Sequence, residues 1–229
     1  MARQFGERKV LTAATVHVHP GRITLLMGRN GCGKSTLLKL IVGTVRSDFG
    51  TVHFNQRMYL RPQLHLLARR GLFYIPERGL PSRYLTLEQN LSMSRVPVND
   101  PRMQQILHDL ALGHLLSSFG TQLSGGERRL TDIALCMLKQ PLCLLADEPF
   151  QGMAPIDGER IARALHTLRD NGTAILVTGH EVNALFEVAD EVVWMTGGTT
   201  HLLGSVAQAR ANDQFRREYL GGRDPAGTR

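Results

Sequence analysis

No apolar run in the sequence approaches the ~18–20 residues of a membrane-spanning helix, and the N-terminal stretch has no secretory-leader pattern. The chain is therefore expected to be cytosolic, or peripheral on the cytosolic face of the inner (plasma) membrane. Cysteine is scarce. Cys32, Cys136 and Cys143 are odd in number and lack metal-ligand spacing, which supports reduced thiols in a reducing compartment and neither a disulfide framework nor a zinc site. Acidic residues are fewer than basic ones, 20 against 27, leaving a net charge of +7. The excess is scattered in pairs (Arg69-Arg70, Arg128-Arg129, Arg216-Arg217), and aromatic residues, only 6% of the chain, are not interleaved with it. Without a basic stripe or a stacking platform, no nucleic-acid partner is expected; a solvated surface facing anionic lipid or an acidic partner is. Internal repeats and low-complexity linkers are also missing.

The length of 229 residues suits one α/β core carrying an inserted subdomain, and an apolar fraction of 42% is enough to fill it. The most informative stretch is Gly28-Arg29-Asn30-Gly31-Cys32-Gly33-Lys34-Ser35-Thr36. It fits G-x-x-x-x-G-K-[ST], a phosphate-binding loop, and sits between an apolar strand, Ile23 to Met27, and a helix running from Thr36 to Val42. Gly28, Gly31 and Gly33 let backbone N–H groups converge on phosphates, with Asn30 and Thr36 in the same cradle, and the helix N-terminus adds positive potential. Lys34 would neutralise phosphate charge and the Ser35 hydroxyl would ligate Mg²⁺. The rival reading is a glycine-rich strand-to-helix turn with an exposed lysine. With strand, loop and helix in order, the sequence points to a nucleoside triphosphate.

Along the chain, Val16-His17-Val18-His19 alternates like a half-buried strand, and Pro20-Gly21 turns into the central strand. Gly43 is the expected C-cap of the first helix. Gly50 to Phe54 and Gly71 to Ile75 read as strands; Asn55 to Arg70 is polar and mixed. From Glu77 to about Thr121 the pattern is helical, with a capping-box start at Thr86-Leu87-Glu88-Gln89 and a second short helix over Met103 to Leu112. Leu123-Ser124-Gly125-Gly126-Glu127 opens another helix, with capping-box spacing between Ser124 and Glu127. Two glycines there cost about 1 kcal/mol each relative to alanine if helical, so they make sense if backbone must approach an anion. Leu142 to Ala146 and Thr173 to Thr178 read as strands separated by a helix that buries Ile161, Ala164, Leu165 and Leu168. Glu191 to Met195 and Thr200 to Leu203 form a hairpin through Gly197-Gly198, and Ser205 to Leu220 is helical, with a frayed end at 221–229.

The strand ending in Asp147-Glu148 offers two adjacent carboxylates downstream of a phosphate loop. Asp147 would hold Mg²⁺ through its water shell, and Glu148 would orient or deprotonate an attacking water. His180, at the end of the next strand, reaches the same sheet edge, where ligands of α/β folds collect.

Taken together, these motifs resemble those of the ATP-binding cassette (ABC) ATPases over nearly the whole sequence. The loop at 28–36 resembles their Walker A motif, Leu142 to Glu148 their Walker B strand with its catalytic glutamate, and Leu123 to Glu127 is an unaltered LSGGE signature. His180 stands where the family has its switch histidine, and Phe5 where an aromatic stacks on adenine. The segments Pro76-Glu77-Arg78, Asp147 to Pro155 and Phe215 to Gly221 are most similar to ATPases of branched-chain amino-acid and urea importers and of the lipopolysaccharide exporter. The resemblance implies a P-loop NTPase core, mainly parallel, with a small antiparallel β part and an inserted helical subdomain at about 77–139, the core being 1–76 and 140–229. It implies ATP and Mg²⁺ as cofactors, catalysis by Glu148 and His180, and nucleotide contacts from Ser124, Gly125, Gly126 and Glu127 across a homodimer or a pair with a paralogous ATPase subunit. It also implies a transmembrane permease subunit docking near Glu77 to Asn90. The alternative is a soluble single-cassette ABC ATPase serving an assembly machine. Three features depart from the family pattern: Glu77 replaces a glutamine at the metal and water, Ala154 replaces an aspartate, and the first strand is short or missing.

Overall fold

The structure, a computed structural model, describes residues 1–5 and 8–220, the side chains of residues 5, 8 and 9 excepted. In chain order its strands are β1 (Arg3–Phe5), β2 (Arg8–Leu11), β3 (Ile23–Met27), β4 (Val52–Phe54), β5 (Arg57–Tyr59), β6 (Leu72–Ile75), β7 (Cys143–Ala146), β8 (Ala174–Thr178), β9 (Glu191–Thr196) and β10 (Thr199–Gly204). The helices are α1 (Lys34–Val42), α2 (Leu64–Ala68), α3 (Leu87–Ser92), α4 (Pro101–Asp109), α5 (Gly125–Lys139), α6 (Pro155–Asp170), α7 (Val182–Val188), α8 (Val206–Ala211) and α9 (Asp213–Phe215), the last running into a π-helical turn at Arg216–Leu220.

Six strands form one sheet in the order β10-β9-β3-β8-β7-β6. Every pairing in it is parallel except β9 with β10. Every residue of β3, β7 and β8 is buried, because helices cover both faces, and such strands read as continuous apolar runs. Alternate side chains feed two separate cores. Ile23, Leu25, Leu144, Ile175 and Val177 pack with apolar residues of α3–α7, whereas Leu26, Leu145, Leu176 and Val193 pack with Leu37, Leu38 and Leu40 of α1. The expected α/β architecture is present. Besides the β9-β10 pair, the antiparallel part consists of two separate two-stranded sheets among the described residues, β1-β2 and β4-β5. The side chains of α3, α4 and α5, among them Leu87, Leu91, Met103, Ile106 and Ile133, share one cluster with the sheet face.

The parallel order has a positional consequence. The chain leaves the C-terminal ends of β3, β6, β7 and β8 at one edge of the sheet. That edge receives the phosphate loop, Pro76-Glu77, Asp147-Glu148 and His180, respectively.

Local signals behave as their chemistry requires. Gly43 caps α1 in the left-handed conformation, and a Cβ there would lie 1.9 Å from the Pro62 carbonyl oxygen. Thr86 and Gln89 form a capping box at α3, and Ser124 and Glu127 form one at α5. Two expectations are corrected. Val16 to His19 is no strand: its valines are half-buried against the second core as the alternation implied, but it joins no ladder. The Thr200 hydroxyl occupies the neighbouring backbone instead, accepting from Thr15 N and donating to Thr15 O. Asn55 to Arg70 holds β5 and α2; β5 forms because Asn55 and Gln56 both adopt positive φ and close a two-residue hairpin. The Phe5 side chain and residues 221–229 lie outside the described residues, so neither the adenine contact nor the frayed end is placed.

At the start of α6, Ala154 occupies the N-cap with extended φ and ψ but no side-chain cap. Ala154→Ser should supply the missing acceptor and raise unfolding stability by about 1 kcal/mol. Urea denaturation should show a higher midpoint with an unchanged m-value; no shift would mean the α6 N-terminus is already satisfied.

Candidate functional site

The sequence of the phosphate loop forces its shape. Gly31 and Gly33 take φ of 77° and 114°. A Cβ at Gly28 would fall 2.5 Å from the Met195 carbonyl oxygen, and one at Gly33 2.9 Å from Leu11 Cδ2. Lys34 is only 5% exposed and donates from Nζ to the Gly28 carbonyl at 2.8 Å. The exposed-lysine reading therefore fails: the cation is drawn into the loop and held on the loop's own backbone. Burial pushes the Cys32 thiol up, with Lys34 pulling the other way, so this half-buried sulfur is a small packing group in the loop.

Asp147 follows β7 and is fully buried. Its Oδ1 accepts from Thr178 Oγ1 at 2.7 Å and from Ser35 Oγ at 3.1 Å, while Oδ2 has no hydrogen-bond partner among the described residues. Thr178 Oγ1 in turn accepts from Glu148 N at 3.1 Å, and Glu148 sits at φ 52°. His180 Nδ1 approaches Glu148 Oε2 to 3.1 Å without hydrogen-bond alignment. A buried carboxylate oxygen without a partner beside a serine hydroxyl is a donor set that suits a hard divalent cation such as Mg²⁺. Nearby, the Tyr74 phenol is pushed up to about 12, chiefly by burial and then by the charges of Asp147 and Glu77.

A cavity of about 570 Å³ lies at this sheet edge; Asp147 does not line it and meets it only through its hydrogen bond with Ser35. Asn30, Gly31, Gly33, Lys34, Ser35, Thr36, Glu77, Glu148 and His180 all line it, as do Val10 and Gln151, which the sequence reading did not single out. Thr178 was also missed, though a hydroxyl ending an otherwise apolar strand two residues before His180 was a usable signal. The start of α5 is not part of this cavity. Ser124 and Gly125 are exposed, and a Cβ on Gly125 would meet nothing within 4 Å. Gly126 is different: a Cβ there would lie 2.7 Å from Asp157 Oδ2. The Glu127 carboxylate is occupied, accepting from Ser124 N at 2.6 Å.

One further group was not foreseen. Arg129 and Asp132, one turn apart on α5, form a buried ion pair at 3.2 Å. Arg129 donates to the carbonyls of Pro76 and Glu77, and Asp132 Oδ1 accepts from Leu80 N at 2.7 Å. An i, i+3 pair of opposite charges beside Leu130 and Ile133 was the available signal.

Comparison with known proteins agrees with this fold. The family described as "ABC transporter" matches residues 11–151, more than half of the chain. The lipopolysaccharide export system ATP-binding protein LptB of Escherichia coli K12 is 31% identical, covering 96% of this chain and 95% of that protein. The LptB of Acidithiobacillus ferridurans is 32% identical, covering 96% and 93%. A solved ATP-binding subunit of an ABC transporter superposes with a TM-score of 0.80 at 26% identity, covering 96% of this chain and 94% of that one.

The Asp132 carboxyl is pushed up to about 6 from 3.8, chiefly by burial, against the pull of Leu80 N–H and Arg129. A native value above the unfolded one means its contribution to stability is complete below about pH 3.8 and is lost as pH rises through 6. Relative to Asp132→Asn, the parent should lose up to about 3 kcal/mol between pH 4 and 7. Urea midpoints of both proteins across that range check this; a constant difference would show that Asp132 titrates normally.

Proposed function

We propose, from the premise that this chain belongs to the ABC transporter family as an ABC-type ATPase, that it powers a separate transmembrane permease by closing and reopening a dimer around MgATP. The observation that carries the reading is a division. Lys34, Ser35, Glu77, Glu148 and His180 share one cavity, whereas Ser124 and Gly125 stand exposed outside it. A nucleotide held by the first set in one subunit would be completed by the second set from its partner, either a second copy or a paralogue.

Each residue then has a role. Backbone N–H groups of the phosphate loop and Lys34 would bind the β- and γ-phosphates. Bound between Asp147, Ser35 and Glu77, Mg²⁺ would neutralise charge on the transferred phosphoryl group. The carboxylate of Glu148 would orient the attacking water and accept its proton, with its backbone N–H fixed on Thr178. His180, within 3.1 Å of that carboxylate, would align it and contact the γ-phosphate. Ser124, Gly125 and Gly126 would cradle the partner's γ-phosphate at the N-terminus of α5.

Residues at about 77–139 act in this reading as the inserted helical subdomain, and 1–76 with 140–229 as the core. The stretch Glu77 to Asn90 presents Leu80 and Tyr84, 43% and 86% exposed, with Phe119 at 48%; these suit an apolar permease segment. The chain would thus work on the cytosolic face of the membrane. Likeness to proteins named for lipopolysaccharide export favours that branch of the family, with cargo recognised by the permease.

The test is Glu148→Gln. It should retain ATP affinity while turnover falls by ~10²-fold or more. Equilibrium binding of ATP and steady-state phosphate release measure both; near-normal turnover would remove Glu148 from the catalytic role.

A further inference from the structure

The Arg129–Asp132 pair is 9% and 1% exposed, and its partners are spread over one five-residue segment. Burying two charges costs more than their attraction returns unless the remaining protons and lone pairs are also satisfied. Here they are satisfied by backbone. Arg129 Nη1 donates to Pro76 O at 3.0 Å and Nη2 to Glu77 O at 2.7 Å, two successive carbonyls. Asp132 Oδ1 accepts from Leu80 N at 2.7 Å. Between these points Gly79 N returns to Pro76 O at 2.9 Å, closing a turn with Gly79 at φ 76°. A Cβ on Gly79 would stand 3.0 Å from Asp132 Oδ2, so carboxylate and turn are in close contact. The turn leaves the C-terminal end of β6 and carries Glu77, which lines the nucleotide cavity.

We infer that Arg129 and Asp132 are positioning residues: they lock the turn at residues 76–80 to α5, so that Glu77 and the Ser124 end of that helix move as one body. This rests on the reading of Glu77 and Ser124 as parts of the nucleotide site. Sliding the turn against α5 would strand a buried guanidinium and a buried carboxylate together. A contact made by Glu77 in its own cavity is therefore transmitted to the exposed N-terminus of α5. The planar fork of arginine is required, because a lysine offers a single point charge and cannot hold two successive carbonyls in fixed geometry.

The experiment compares Arg129→Lys and Gly79→Ala with the parent, each alone and combined with Glu77→Gln. Gly79→Ala presses on the Asp132 carboxylate without uncovering a charge but also strains the turn at φ 76°, so where Arg129→Lys does not fold the Mg²⁺ shifts of Gly79→Ala, and not its exchange, decide. Amide hydrogen exchange should rise about tenfold or more at Gly79 and Leu80, while amides from Thr131 to Leu138 keep their protection. The Mg²⁺ concentration at half-saturation of nucleotide binding should shift in each clamp variant, and adding Glu77→Gln should produce no further shift, because the two changes break one chain of contacts. Unchanged exchange at Gly79 and Leu80 overturns the clamp. Faster exchange with fully additive Mg²⁺ shifts also overturns it, since the turn would then be held without positioning Glu77. If Glu77→Gln alone leaves the Mg²⁺ midpoint where it was, the metal role of Glu77 fails, and the exchange result alone decides for or against the clamp.

Discussion

The carboxylate of Asp147 is the point on which the rest of the site depends. It ends β7, and the register that pairs Ala146 with Val177 places it beside Thr178 at the end of β8. From there one oxygen is fixed by Thr178 and by Ser35, so three elements (β7, β8 and the start of α1) meet at a single atom. The other oxygen is buried without a partner among the described residues. Leaving such an acceptor unsatisfied costs about 1–3 kcal/mol, more for a charged group. A fold selected for stability alone would not keep it; a fold that awaits a cation would.

Around that atom the division of labour is geometric. The parallel sheet assembles phosphate loop, Glu77, Glu148 and His180 along one edge, and its tightly packed faces leave little freedom there. The α5 N-terminus is assembled differently. It is capped by its own Ser124 and Glu127, tied to the β6 edge through Arg129 and Asp132, and open at Gly125. One half of the proposed site is therefore built into the chain's own cavity, and the other is presented outward from a helix. Transmission between the halves runs through the turn at residues 76–80.

Much of this was legible in the sequence, for identifiable reasons. The phosphate loop, the capping boxes at Thr86 and Ser124, and the apolar strands ending in Asp147 and near His180 are local signals whose meaning needs no tertiary context. The edge they share followed from parallel-strand logic. What was not legible depends on partners far away in sequence. Val16 to His19 has the right alternation but joins no ladder, and the backbone just before it, at Thr15, is held by the Thr200 hydroxyl. The hairpin at Asn55-Gln56 lacks glycine, so its positive φ values were hidden. Thr178 and Arg129 gain their importance from contacts 31 and 53 residues away in the chain. The two glycines of the signature differ in their surroundings, which their spacing did not reveal: Gly126 makes room for Asp157, and Gly125 faces open space.

The central claim is that a working site is shared between two chains, with Lys34 from one and Ser124 from the other. The direct measurement mixes Lys34→Ala with Ser124→Arg and follows ATPase rate against mixing ratio, with cross-linking to verify that heterodimers form. Each mutant alone has two defective sites, whereas the heterodimer carries both lesions in one site and leaves the other intact. The account predicts that activity partly returns, with a maximum near equal proportions. A flat profile in mixtures that contain heterodimers would contradict it, placing Ser124 and Lys34 in service of the same chain.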